Sequence, residues 1–461
     1  MFHQLLVYNI HTMSHKKPST SNEKLANTSK FIFLGLLAYM PLHILIATWL
    51  GSSFGQLELA KAIKEPIMIV GFLMIIAVER NNILKYFRKD GLLYLAIFLY
   101  FLITSFSAFS FDNNKNAEIL GVVYDVRFLC FFMYAVILAN RYKESLQNIA
   151  VKISLIIGTI VACFGLLQIL ILPDNALSHI GFSKETGSQP VFYIHDEILA
   201  TERASASIKD PNSLGSYIVL ILALGSAYIT SIRKSHKKWS KYVLVATILV
   251  ACLYFTYSRS AWLGLVFGLL FLLFFAINYN KTTKTFIKKN TPLLMIGMCS
   301  LILIFVGIGI TQKSVYKNVV LHDQLDKVED SNTKRLDSYT SSLILVKNNF
   351  LFGLGVGAAG PVSFKNTPHQ PIISENYYLQ IILEYGLIGI LIFMFILVYI
   401  TTKLFKLSKN KDLYALALLV SFLAISFANL FNHNWANEAV AYVWWGLAGL
   451  FMYNSKNLKQ E

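Results

Sequence analysis

Residues 241–278 read KYVLVATILVACLYFTYSRSAWLGLVFGLLFLLFFAIN. Two apolar runs, 241–257 and 261–278, flank the short turn Ser258-Arg259-Ser260. Read as one helix, this stretch overshoots any bilayer, because about 20 apolar residues already span the hydrocarbon. Read as two helices joined by a turn, it crosses and returns. The same pattern recurs along the chain. We read twelve apolar runs: 31–50, 60–78, 91–109, 119–139, 149–172, 213–232, 241–257, 261–278, 292–311, 376–400, 412–430 and 438–453. Composition agrees. Of 461 residues, 55% are hydrophobic and 14% charged, with a mean hydropathy of +0.55. A soluble domain carries about 25% charge, so this chain could not cover a globule with polar surface. We expect an all-α polytopic integral membrane protein of about 12 transmembrane helices.

The net charge is +16. A basic balance can mark nucleic-acid binding, but the positions of these charges follow topology instead. With the first segment taken as cytoplasmic, inside segments hold 25 of the 41 Lys and Arg. They include Lys16, Lys17, Arg80, Lys85, Arg233, Lys237, Lys281, Lys288, Lys403 and Lys406. This asymmetry is the positive-inside pattern. It places both termini inside and excludes a nucleic-acid partner. Residues 1–30 are polar, lack a cleavable signal and are expected to form a disordered cytoplasmic tail, with Met13 a second candidate start. Residues 31–453 form a single transmembrane domain and 454–461 a cytoplasmic tail. Two external loops, 173–212 and 312–375, are too long for turns, and such loops are commonly functional. The second contains helix-like stretches near 314–328 and 334–348. The four cysteines lie in apolar runs without metal or disulfide spacing.

Ionisable groups inside a membrane are costly and mark candidate functional positions. His43, Glu65, Asp125, Arg127 and Glu384 all fall roughly 8–12 Å below the outer surface, counted at about 1.5 Å per residue. Asp125 or Glu65 can neutralise Arg127, which is the structural reading. Arg203, Asp210, Asn212, Arg259, Arg335 and Glu375 continue the same layer, which is the functional one. Together they suggest a polar cavity opening toward the outer leaflet.

Four segments carry these groups. Arg203 precedes Asp210-Pro211-Asn212-Ser213, where Asn212 or Ser213 is a candidate helix cap. Ser258-Arg259-Ser260-Ala261-Trp262 joins two helices; by itself it also suits a headgroup anchor. Arg335 is followed by Phe352-Gly353-Leu354-Gly355-Val356-Gly357. That glycine run lacks the strand-then-helix context of a nucleotide site and instead permits a close backbone turn, a candidate neighbour of substrate. Last comes Ser374-Glu375-Asn376-Tyr377-Tyr378-Leu379, ending Gly386-Leu387-Ile388-Gly389. Here Ser374 is a candidate N-cap, and Glu375 suits the helix dipole.

In this order along a twelve-helix chain, the four segments resemble the O-antigen ligase and O-antigen polymerase family of bacterial surface-glycan assembly. The resemblance covers about residues 120–400. Ligase-type members typically place a His immediately before the Asn that here is Asn376. This chain has Glu375 there, and its nearest His in sequence is His369. The resemblance therefore leans toward the polymerase type.

The resemblance implies a glycosyltransferase of the bacterial cytoplasmic (inner) membrane, acting at the external face. Its donor would be an isoprenoid-diphosphate-linked glycan and its acceptor a glycan or lipid-linked sugar. Membrane lipids surround it, and a chain-length regulator is a further expected partner. Arg259 and Arg335 are assigned to the leaving diphosphate and Glu375 to the base. Arg203, Arg127, Asn212 and Asn376 are assigned to donor binding. Arginine suits phosphate because its planar fork is permanently charged. No cofactor or metal is expected. The alternatives are ligase-type transfer to lipid A core or protein and, from another class, a transporter or flippase. A transporter would carry a midplane site at broken helices, for which Pro41 is the kink candidate.

The orientation is directly testable. A cysteine introduced at Asn332 should react with an impermeant thiol reagent added outside cells, and one at Ser235 should not. The opposite pattern would overturn the placement of the site.

Overall fold

The computed structural model of the protein describes residues 21–111, 113–194, 201–231, 239–279 and 331–452. The run at 292–311, the stretch at 314–328 and Cys299 lie outside the described residues. Every other expected span lies on helix. The helices are α1 (Ser21–Tyr39), α2 (His43–Phe54), α3 (Leu57–Ala62), α4 (Lys64–Glu79), α5 (Ile83–Arg88), α6 (Gly91–Ser110) and α7 (Lys115–Leu170). They continue as α8 (Pro211–Ser231), α9 (Trp239–Phe255), α10 (Arg259–Tyr279), α11 (Ser331–Asn348), α12 (Tyr377–Lys409), α13 (Leu413–Ala428) and α14 (Glu438–Phe451). Among the described residues the strands are one antiparallel pair, β1 (Phe192–Tyr193) and β2 (Glu202–Arg203). Among the described residues, six helical stretches are long and apolar enough to cross a membrane: Ser21–Phe54, Gly91–Ser110, Lys115–Leu170, Pro211–Ser231, Arg259–Tyr279 and Tyr377–Lys409. Three shorter apolar helices, Ser240–Phe255, Leu413–Ala428 and Glu438–Phe451, accompany them. The protein is an all-α polytopic membrane protein. The chain is already helical at Ser21, ahead of the first expected span.

Breaks in the long helices have local causes. Pro41 lacks the amide proton that would continue α1 into α2, and a 3-10 turn over Met40–Leu42 intervenes. The Pro41 carbonyl instead accepts from Ser207 Oγ at 2.7 Å, which ties this break to the loop before α8. Lys143 leaves helical backbone (φ 51, ψ −139) and divides α7 into the two expected runs.

The break in α12 matters most for the site. Gly386 has φ 62 and ψ −161, and a Cβ there would lie 2.2 Å from the Leu351 carbonyl oxygen. Backbone freed by such a break must be satisfied inside the protein. The segment 350–357 does this. Leu354 N donates to Leu383 O (2.7 Å), Gly355 N to Glu384 O (3.1 Å) and Leu387 N to Phe350 O (2.8 Å). The glycine run thus fits against α12, and its close turn serves the helix break.

α14 is buried on all sides and packs along α7, with Trp444 and Trp445 in the core. Gly264 and Gly268 let α10 lie against the Ala424 and Val420 carbonyls of α13, the small-residue contact common between membrane helices.

The intramembrane charges form internal clusters. Arg127, 3% exposed, bonds Glu65 Oε1 at 3.1 Å and lies 3.2 Å from Glu438 Oε1. Lys64 lies 3.2 Å from Glu65 and 3.8 Å from Glu438. Two cations thus balance two carboxylates across α4, α7 and α14. Arg127 Nη2 also donates to Ala436 O at 3.1 Å, and its guanidinium lies over the Tyr124 ring. Asp125 does not share in this cluster; it accepts from Tyr385 OH at 2.5 Å. Glu384 accepts from Gly357 N (3.0 Å) and Gln380 Nε2 (3.2 Å).

Removing one member should strand a buried charge, at a cost of about 3–5 kcal/mol. Glu438→Ala is therefore expected to lower the detergent melting temperature strongly. The double variant Arg127→Met/Glu438→Leu leaves Lys64 with Glu65 and should be milder than Glu438→Ala. A double variant less stable than the single would refute the charge-balance account.

Candidate functional site

The structure joins the motif segments into two linked groups. The first forms where β2 meets the turn between α9 and α10. Ala204 N donates to Phe255 O at 2.9 Å, which seats the strand on that turn. Arg203 Nε then reaches Thr256 O (2.9 Å), and Nη2 reaches Asn212 Oδ1 (2.8 Å). Arg259, partly buried, opens α10 just beyond. Asp210, rather than Asn212 or Ser213, caps α8: its Oδ1 accepts from the Asn212 and Ser213 amides at 3.0 and 2.9 Å. That leaves the Asn212 side chain available to Arg203 and, through Nδ2, to Asn432 Oδ1 at 3.1 Å.

The second group surrounds the start of α12. Asn376, rather than Ser374, caps the helix; its Oδ1 accepts from Tyr378 N and Leu379 N at 2.9 and 3.0 Å. Asn376 Nδ2 donates to Tyr339 OH (3.3 Å), and Tyr339 OH donates to Leu430 O. Arg335 Nε and Glu375 Oε2 pair at 3.8 Å with both side chains partly open, 30% and 36% exposed. Burial raises the Glu375 carboxyl above its usual range; Arg335 opposes this, and the Asp210 charge adds to it. Asp210, which caps α8 beside Asn212, is thus among the charges that act on Glu375.

The segment Asn429–Glu438 between α13 and α14 connects them. Asn432 Nδ2 donates to Ser260 Oγ at 2.6 Å. His433 Nε2 lies 3.3 Å from Ser374 Oγ. Asn429 O accepts from Tyr377 N (3.1 Å), and its Oδ1 accepts from Trp435 N (3.1 Å). Ala436 and Glu438 hold Arg127. The contacts commit Arg127 to supporting this segment. In the sequence, 431–437 is only the gap between the runs 412–430 and 438–453. Its signal was compositional: NLFNHNWANE holds four Asn, a His and a Glu between two apolar helices.

Left-handed backbone gathers in the same places. Ala206, Tyr257 and Glu375 have φ of 50, 46 and 52, and the other two such non-glycine residues described are Lys143 and Lys411. Each costs about 1–2 kcal/mol, and such strain tends to cluster where function needs it. Here it occurs in the segments that carry Arg203, Arg259 and Arg335's partner. The arrangement offers Arg203 in a hydrogen-bonded frame and, in the linked group, Arg335 paired with one partly open carboxylate. That equipment can stabilise a departing anion and accept a proton.

Comparison with known proteins covers part of this region. Residues 243–394 match the family described as O-antigen ligase. The match includes Arg259, Arg335, Glu375 and Asn376, while Arg203, Asn212 and the 429–438 connection lie outside it. No curated protein matches the chain. Over this segment the chain is similar to the O-antigen ligase/polymerase family, a likeness that supports a role in glycan transfer during surface-glycan assembly without dividing ligase from polymerase type.

Proposed function

We propose that the protein joins glycan repeat units of O-antigen, capsule or exopolysaccharide at the outer face of the bacterial cytoplasmic membrane. The donor is a glycan on an isoprenoid diphosphate. The observation that carries this reading is the Arg335–Glu375 pair, linked through the 429–438 connection to Arg203 and Asn212 beside Arg259. An acceptor hydroxyl attacks the anomeric carbon as its proton passes to Glu375. The bond from that carbon to the diphosphate oxygen breaks, and lipid diphosphate leaves with the electron pair. Arg259 and Arg335 stabilise the charge that gathers there, and Arg203, held by Asn212, adds to the same field. Charge stabilisation by fixed donors is often the largest catalytic contribution, and here arginines supply it without a metal ion. Transfer should accordingly persist in EDTA.

Transfer to lipid A core or protein is the second reading, favoured by the family's description as O-antigen ligase. Glu375 in the position where ligase-type members carry His supports polymerisation. Glycan length in a strain whose only copy is this gene separates the two: polymerisation yields lipid-linked chains of many repeats, ligation none beyond those supplied.

Arg259→Ala and Arg335→Ala should abolish extension at unchanged membrane abundance. Lysine at either position should rescue only partly, because an ammonium keeps charge but loses the fork. Glu375→Gln should lose about 10²–10⁴-fold in turnover. As a mere dipole partner Glu375 would contribute only about 0.3–1 kcal/mol, and wild-type turnover by the Gln variant would sink its role as base.

The pH profile gives an independent check. Glu375 accepts a proton only when ionised, so activity should fall as pH drops through its raised pKa. Arg335 favours the ionised form. Arg335→Gln removes that help, and whatever residual activity remains should show its acid limb at higher pH than wild type. A limb displaced to lower pH would contradict the pairing.

A further inference from the structure

His433 lies in the connection between α13 and α14, far in sequence from the start of α12, yet its Nε2 is 3.3 Å from Ser374 Oγ. Ser374 is fully buried, and its hydroxyl also donates to Asn376 O at 2.8 Å. A hydroxyl has one proton, and a carbonyl cannot donate. With that proton spent on Asn376, the contact with His433 requires an N–H on Nε2 and an accepting Ser374 oxygen. Burial and the charge of Lys209 push the imidazole down to about 4, so the ring is neutral near pH 7. A neutral ring protonated at Nε2 leaves Nδ1 unprotonated.

Ser374 and Asn376 flank Glu375, whose backbone is left-handed. The Ser374–Asn376 hydrogen bond therefore closes a turn across Glu375, and His433 meets that turn at Ser374. We propose that His433 is a positioning residue for Glu375: its Nε2–H holds Ser374, and the Ser374–Asn376 bond keeps the turn that presents the Glu375 carboxylate beside Arg335. The inference rests on the reading of Glu375 as the base. It adds a residue outside the matched family segment that touches no reacting atom.

Two measurements test it. In purified protein labelled with ¹⁵N-histidine, the His433 resonances, identified by their loss in His433→Gln, should report the Nε2–H tautomer near neutral pH. Ser374→Ala should shift them. An Nδ1–H tautomer, or no response to Ser374→Ala, would overturn the contact. Turnover is then followed with lipid-linked glycan extracted from cells lacking the gene. His433→Phe fills the space without a donor and should lower kcat by about 10²-fold, the scale expected of a small misplacement, with little change in KM. His433→Gln returns an N–H near the Nε2 position and should recover most of the loss. Equal loss in both variants at equal melting temperature would mean that the donor is not what matters, and undiminished kcat in His433→Phe would refute the positioning role. Should His433→Phe fail to accumulate, Ser374→Ala breaks the same link with a smaller change and should show the same fall in kcat. Wild-type turnover by Glu375→Gln would remove the base reading alone; the tautomer and its response to Ser374→Ala would still decide whether His433 holds the turn.

Discussion

A permanently charged guanidinium buried among apolar helices must be neutralised by the protein itself, and Arg127 imposes that condition on this structure. Its solution draws in Glu65 and Lys64 from α4 and Glu438 from α14, so three helices are cross-linked by charge. A buried ion pair contributes little net stability compared with apolar packing. What it contributes here is placement. Glu438 begins α14, Arg127 also holds the Ala436 carbonyl, and the connection leading into α14 is thereby held against α7. That connection carries Asn432 and His433, the residues that touch the two halves of the candidate site.

The same demand for internal partners explains the glycine-rich segment. α12 departs from helical geometry at Gly386, and a broken helix inside a bilayer exposes carbonyls and an amide that lipid cannot satisfy. The chain from Phe350 to Gly357 lies along the break and pairs with those groups. Gly357 also donates to the buried Glu384 carboxylate. Since this segment follows α11, which bears Arg335 and Tyr339, its seat on α12 brings Arg335 back to the start of the helix it supports. The candidate site's geometry is therefore a by-product of backbone satisfaction as much as of side-chain choice.

Membrane character, helical class and the order of spans were legible in the sequence, because lipid forces each crossing segment to announce itself as an apolar run. The motif segments were legible too, since charged and small residues stand out against that background. Pairings were less so. Glu65 was readable as a partner for Arg127, but Glu438, more than three hundred residues downstream, was not, because a carboxylate at the end of an apolar run carries no mark of which helix it will face. The helix caps are ambiguous in the sequence for a related reason. Asp210, Asn212 and Ser213 are all competent caps by type, as are Ser374 and Asn376, and only the turn geometry selects Asp210 and Asn376.

The sequence by itself determined that the chain is an all-helical membrane protein whose rare polar groups recur in four ordered segments, because hydrophobicity and motif spacing are local properties. The tertiary structure decided which of those groups meet. It set Arg335 against Glu375, joined Arg203 to Asn212, and brought the 429–438 connection between them. These contacts depend on how helices distant in sequence pack and where their broken backbone finds partners, and neither is written in any single stretch of residues.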